Sequence, residues 1–260
     1  MKPVLIVTHL PDRQVGLVRA ALEASGCDVT ERNAGAAQPL PGSGELSGIV
    51  SLGGRQSATR ADEDPFIAAE LRLLRAALAD EVPVLGICLG AQLLAVAAGG
   101  DVINTGRMYA GWPDLVVSPE AAGDPVFGGL PPRLPVLKWH EDVIELPDGG
   151  QVLGTSEGPG AALFRIGPSA WGSQPHLELT PRMLVDGWLA DPAEAVDVTA
   201  AGHDLDEFRA RSRELLVGQM AAAEPMFQAF GRVTARRGSR RPAEPTGQSP
   251  AASKRRREPV

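Results

Sequence analysis

The sequence predicts an α/β protein, a sheet with helices packed on both of its faces. Short β-branched apolar runs alternate with segments of helical period along the first hundred residues. One such run leads straight into Gly53-Gly54, and another, ending at Ile87, turns through Cys88 into a helical stretch.

Val4 to Val7 reads as the first strand. Gln14 to Ser25 follows as a helix with Val15, Val18, Ala21 and Leu22 on one stripe and Gly26 as its stop. Cys27-Asp-Val-Thr opens the next strand, and Leu46 to Leu52 the one after, ending at a glycine pair where backbone can approach a ligand closely. Asp64-Pro65 has the form of a helix start, Asp as N-cap and Pro in the first turn. Ile67, Leu71, Leu74 and Leu78 then mark the face that meets the sheet. Val82 to Ile87 is the next strand and Leu89 to Ala98 the next helix.

From about 113 to 180, short segments are broken by Pro and Gly: 115–117, 136–139, 143–146, 151–155, 161–166 and 170–174 are expected to be strands and hairpins extending the sheet. Residues 181–231 are expected to be mainly helical. The chain therefore divides into one domain over 1–231, with a motif-bearing core at about 4–180 and a helical extension over 181–231, and a basic tail over 232–260 predicted to be disordered.

Charge follows that division. The whole chain carries −7, yet the tail holds nine Arg and Lys against Glu244 and Glu258, which leaves −14 on residues 1–231. An acidic body argues against a nucleic-acid-binding core, because duplex affinity comes largely from cations on phosphates. Lys254-Arg-Arg-Arg admits a reading as a nucleic-acid or localisation element, against the plainer one of a solvated end. Only Cys27 and Cys88 occur, so a reducing, cytoplasmic setting is expected. No signal peptide is read at the N-terminus, and Ile87 to Gly100 is too short for the ~20 apolar residues of a membrane span.

Cys88 sits in Gly86-Ile-Cys-Leu-Gly90 between a buried strand and a helix. This is the thiol form of a nucleophile elbow, in which small flanking residues permit a turn that lifts the nucleophile clear of the sheet. The helix N-terminus would stabilise a thiolate there, and the Leu89 amide would point at a developing oxyanion. The competing reading of this window is a small buried hydrophobe at a strand end. Cys27, with no such turn, reads as packing.

Of four histidines, His9, His140, His176 and His203, the third has a carboxylate two residues on, Glu178. On extended chain that spacing puts both side chains on one face, ~6–7 Å apart along it. The carboxylate can then fix the imidazole tautomer while the other ring nitrogen faces a thiol. A surface His beside a Glu would look the same in isolation; together with the cysteine elbow, the pair supplies what attack on an unactivated amide requires.

Pro83-Val-Leu-Gly-Ile-Cys-Leu-Gly-Ala-Gln-Leu-Leu-Ala, with Gly172-Ser-Gln-Pro-His-Leu-Glu, resembles the class I, triad-type glutamine amidotransferases, and within them stand-alone relatives of the glutaminase domain of GMP synthetase. The resemblance covers roughly residues 4–180. It implies a flavodoxin-like open, mostly parallel sheet with the cysteine at the carboxyl edge of the strands. It implies Cys88 as nucleophile, His176 as acid/base and Glu178 as its orienter, with oxyanion-hole amides from Gly54 and Leu89. Gln92 matches a substrate-contacting glutamine, and Trp139-His-Glu-Asp, which includes His140 and Asp142, resembles a loop that holds the α-amino and α-carboxyl groups. For His140 a purely structural role stays open. Arg55, Ala91, Pro175 and Leu177 depart from the family's usual Pro, His, Phe and Pro and alter the shape of the glutamine pocket.

The expected function is glutamine hydrolysis through a γ-glutamyl thioester, with glutamine as substrate, no cofactor or metal, and ammonia delivered to a separate synthetase. The sequence holds no Walker A loop, and Ser51-Leu-Gly-Gly-Arg-Gln-Ser has no Lys. The alternatives are a stand-alone hydrolase or transferase acting on a γ-glutamyl compound, and a non-catalytic regulatory relative.

Overall fold

The computed structural model describes residues 2–10, 14–60 and 64–238. Strand β1 (Val4–Thr8) is wholly buried and sorts its side chains by parity. Val4 and Ile6 enter one apolar cluster, Leu5 and Val7 another. A strand whose two faces are both apolar lies inside a sheet covered on both sides.

Helix α1 (Val18–Ala24) starts four residues later than expected. Gly16 has φ +53°, outside the right-handed helical region, and the Leu17 N–H is drawn to the Glu178 carbonyl at 2.9 Å. The helix ends as read, with Gly26 at φ +80°. Strands β2 (Val29–Asn33) and β3 (Gly48–Ser51) follow. Helix α2 (Pro65–Ala79) begins at the anticipated Asp64-Pro65, although the Asp64 side chain makes no capping hydrogen bond. Its residues Ile67, Leu71 and Leu74 are buried, and Leu78 is half-buried at the rim. Strand β4 (Val84–Ile87) then turns directly into α3 (Leu89–Ala97).

The next segments differ most from expectation. Asp101–Gly111 forms β5, a long strand not anticipated from the sequence, and Asp114–Val117 and Arg133–Pro135 form β6 and β7. The expected separate strands at 136–139 and 143–146 are largely one, β8 (Lys138–Glu145). It does not extend the main sheet, because it pairs antiparallel with β5 as a two-stranded ribbon. Strands β9 (Gln151–Ser156), β10 (Leu163–Ile166) and β11 (Ala170–Ser173) do extend it. The main sheet runs β2-β1-β3-β4-β11-β10-β9-β6-β7. Pairings are parallel from β2 through β11 and antiparallel beyond.

Residues after 180 form α4 (Pro181–Leu184), α5 (Pro192–Ala200) and α6 (Leu205–Gly238), which contains Pro225. Trp112, Leu137, Trp139, Leu184, Leu189 and Phe208 make a third apolar cluster joining these helices to the ribbon. The far half of α6 packs on the sheet with α1, through Met226, Phe227 and Phe230. Cys27, as anticipated, packs here, its thiol donating to the Gly231 carbonyl at 3.4 Å.

The boundary at 232 needs correcting. Thr234 is fully buried against Gly48, and Arg237 donates to the Asp80 and Glu81 carbonyls, so α6 continues to Gly238. The rest of the anticipated tail, 239–260, lies outside the described residues. No helix among the described residues is long and apolar enough to cross a membrane. A chain ending at Gly231 is expected to melt lower than one ending at Gly238. At about 2–4 °C per kcal/mol for a domain of this size, losing the Thr234 and Arg237 contacts should lower Tm by roughly 4 °C or more, read by calorimetry.

Candidate active site

The parallel strands β1, β3, β4 and β11 end along one edge, and the sequence-predicted residues gather there. Cys88 occupies the single residue between β4 and α3 with φ +51°, ψ −109°. A β-carbon at Gly86 would stand 2.4 Å from the Gly90 carbonyl oxygen, and one at Gly90 2.1 Å from that of Ser51. Only glycine fits either place, which is why the cysteine is bracketed as it is. The Cys88 N–H is fixed by the Ser173 carbonyl at 2.8 Å and the Gly90 N–H by that of Leu52 at 3.1 Å. Neighbouring strands thereby hold a backbone shape that a non-glycine residue seldom adopts.

His176 lies beyond the end of β11. A single antiparallel bridge to Leu137 holds it, with its N–H on the Leu137 carbonyl at 2.9 Å. Gln219 of α6 clamps the same junction, accepting from the Leu137 N–H at 3.0 Å and donating to the His176 carbonyl at 2.9 Å. The imidazole Nδ1 meets Glu178 Oε1 at 2.8 Å, both side chains nearly fully buried. The Trp188 indole stands edge-on to the ring, centroids 5.0 Å apart.

Burial alone would drive the His176 proton off. The negative charges of Glu178 and Cys88 and the hydrogen bonds to both outweigh it, so the group titrates well above the ordinary 6.5. The ring thus stands between the carboxylate, bonded at Nδ1, and the cleft that Cys88 also lines. His140 is the opposite case: burial, with the nearby Lys138 charge, lowers it to about 3. It is neutral at physiological pH, its Nδ1 donating to the Asp142 carbonyl at 2.8 Å. Of the histidines that line the cleft, His176 alone is poised to carry a proton to and fro.

Cys88, His176, Gly54, Leu89, Gln92, His140 and Asp142 all line one cleft of about 660 Å³. Glu178 stands behind His176, outside the lining. Trp139-His-Glu-Asp is part of β8 and not a loop, and Cys88 Sγ lies 3.8 Å from the Trp139 carbonyl. Asp142 is held by Ser57 Oγ at 2.5 Å and Asn104 Nδ2 at 2.7 Å. Arg55 reaches from the glycine turn to α5, pairing with Glu194 at 2.5 Å and Asp191 at 3.3 Å. Trp188, Gln219 and Arg55's acidic partners were not singled out in the sequence, because each acts on residues distant from it in the chain. Among the described residues no cluster of His, Cys, Asp and Glu is arranged to hold a metal ion.

The Glu178 contact has a measurable sign. A His whose folded pKa is raised adds stability that is complete below its unfolded value near 6.5 and is lost as pH climbs through the higher folded value. In Glu178→Gln the His176 proton should leave at lower pH than in the parent, and this stabilising window should narrow from its alkaline side. A ring-proton NMR titration of both proteins reads the effect; an unmoved midpoint would refute the assigned cause.

Comparison with known proteins bears on the family and the fold. The family model described as Glutamine amidotransferase class-I matches residues 16–192. The glutamine amidotransferase-like protein YfeJ of Salmonella typhimurium is 33% identical over 150 residues, 56% of this chain and 62% of that protein. A subunit of the glutamine-hydrolyzing GMP synthase of Natronomonas pharaonis is 47% identical over 78 residues, 30% of this chain and 41% of that one. The chain thus spans less than two thirds of the length of either relative. Among solved structures, a glutamine amidotransferase from Methylobacillus flagellatus superposes with TM-score 0.77 at 25% identity, covering 95% of this chain and 100% of its own. One from Thermotoga maritima gives 0.76 at 24%, covering 89% and 97%, and bears on the fold alone. With a cysteine elbow at the carboxyl edge of a mostly parallel sheet and a family match over residues 16–192, the chain belongs to the class I glutamine amidotransferases.

Proposed function

We propose that this protein hydrolyses the side-chain amide of glutamine, with Cys88, His176 and Glu178 acting as a catalytic triad. The observation that carries the reading is their convergence: a sulfur in a strained turn, an imidazole hydrogen-bonded to Glu178, and an open cleft lined by both sulfur and imidazole. A thiolate beside an imidazolium is a nucleophile with its proton donor already in place.

The Cys88 thiolate adds to the amide carbon, and the carbonyl π pair moves onto oxygen. The Leu89 N–H, at the first helical position and so without a helical acceptor, serves that oxyanion together with the Gly54 N–H. The intermediate collapses, the C–N bond breaks, and His176 gives its proton to the departing ammonia. A γ-glutamyl thioester remains. His176, now neutral, takes a proton from water; hydroxide adds to the thioester, the C–S bond breaks, and glutamate leaves with Cys88 again a thiolate beside imidazolium. Glu178 keeps one tautomer throughout and offsets the ring's charge. Gln92, His140 and Asp142 line the same cleft, which supports their proposed role of holding the amino-acid end of the substrate.

Ammonia released here is proposed to pass to a separate synthetase. One relative is itself named as a subunit of a glutamine-hydrolyzing synthase, which supports that arrangement. The second reading is a stand-alone γ-glutamyl hydrolase, favoured by the roomy cleft of about 660 Å³ and by Arg55, whose tie to α5 shapes its mouth. Cys88→Ala should cut glutamate release from glutamine by roughly 10³-fold or more, because members of such a constellation act as a unit. Stoichiometric labelling of Cys88 by diazo-oxo-norleucine is expected in the parent protein. Unchanged glutamate release in Cys88→Ala would refute the scheme, and a non-catalytic relative would resist the label.

A further inference from the structure

Beneath the glycine turn lies a second histidine and carboxylate that the scheme above leaves unused. His9, just past the end of β1, and Glu70 of α2 have side chains with no solvent exposure. His9 Nε2 meets Glu70 Oε2 at 2.6 Å, and His9 Nδ1 meets the Gly53 carbonyl oxygen at 3.2 Å. The other carboxylate oxygen, Glu70 Oε1, accepts from Ser51 Oγ at 2.6 Å. Both ring nitrogens therefore face acceptors. A neutral imidazole has one N–H, so opposite an ionised Glu70 the doubly protonated ring makes both contacts. Burial opposes that charge, but the Glu70 charge and hydrogen bonds outweigh it and the group titrates above its ordinary range.

A buried ion pair is weak evidence for stability, since desolvation offsets most of its attraction. Its placement is informative instead. The Gly53 carbonyl and the Gly54 N–H belong to one planar trans peptide, so they point in opposite directions. Fixing the carbonyl on His9 fixes where the N–H aims. Gly53 itself borders the reacting groups: a β-carbon there would stand 2.7 Å from His176 Cε1 and 3.5 Å from Cys88 Cβ. A β-carbon at Gly54 would stand 2.8 Å from both His9 Cβ and Leu89 Cδ2, so this glycine is wedged between the buried histidine and the first residue of α3. Two glycines in succession carry no side chain to resist rotation of the peptide between them, so an outside hold is needed.

We infer that His9, held by Glu70 and Ser51, is a positioning residue that locks the Gly53–Gly54 peptide with its N–H toward the oxyanion. This rests on the reading of Cys88 as an acyl-accepting nucleophile, and glutamine need not be the acyl donor.

The test uses the full chain and three readouts: kcat and KM for glutamine, Cys88-dependent hydrolysis of p-nitrophenyl acetate, and alkylation of Cys88 by iodoacetamide, which forms no oxyanion. In Glu70→Gln the shape is kept but the imidazole loses the charge that keeps both nitrogens protonated. In His9→Leu both contacts go. Misplacing one catalytic group by an ångström costs up to about 100-fold, so His9→Leu should lower both acyl-transfer rates by about 10- to 100-fold in kcat, with KM and the alkylation rate little changed. Glu70→Gln should follow to a smaller extent. His9→Asn, whose Nδ2 sits where Nδ1 was, should recover most of the loss. Acyl transfer within about twofold of the parent in both Glu70→Gln and His9→Leu overturns the inference, as does a parallel fall in alkylation, which would mark a collapsed site. A parent that cleaves the ester but never glutamine refutes the glutaminase reading alone, and the ester rates still judge His9.

Discussion

Backbone packed against backbone around Cys88 is the constraint on which the rest of the site depends. Strand β3 passes so close to α3 that Gly90 rests on the Ser51 carbonyl, while β11 takes the Cys88 N–H from the other side. Three strands must be in register before that turn can hold its positive φ, and the parallel pairings of β4 with β3 and β11 supply the register. An unfavourable local conformation is in this way maintained by long-range order. The same three strands deliver Gly53 and, a few residues beyond β11, His176 to the same edge.

Around the turn, one residue type is used in two charge states and three settings. His140 is buried beside Lys138 and stays neutral down to about 3; His176 is buried between a carboxylate and a sulfur and keeps its proton far above 6.5; His9 is buried on Glu70 with both nitrogens donating. Burial lowers all three, and the neighbouring charges together with the hydrogen bonds decide the sign of the outcome. Contact geometry then sets the role. The first can only lend a fixed ring, stacked on Tyr109 at 5.4 Å, the second can move a proton, and the third can hold a carbonyl.

The floor of the cleft was legible because its information is local. Apolar runs bounded by glycine, the Asp64-Pro65 start and the two glycines about Cys88 are all readable within a dozen residues, and His176 with Glu178 within three. What failed was non-local. Strand β5 has most of its first seven residues exposed and lacks an apolar alternation, so nothing in Asp101 to Gly111 announces a strand until β8 pairs with it. The single long β8 was split at His140 to Asp142 because polar residues there look like a break, although they line a cleft. Polar Arg and Thr past 231 read as tail, yet Thr234 is enclosed by a contact with Gly48 nearly two hundred residues earlier. Gln219 and Glu70 were invisible for the same reason.

The cover of the cleft has its own apolar cluster, separate from the two that sandwich the sheet. Cooperative units of a protein follow such divisions, and their opening free energies can differ widely. Trp188 and α5 rest on the small cluster and on the exposed Arg55 ion pairs, while the strained cysteine turn is clamped by the large ones. The apolar packing that holds Trp188 and α5 is thus largely distinct from the packing that holds the Cys88 turn, and the two meet at His176, where Trp188 stands against the imidazole.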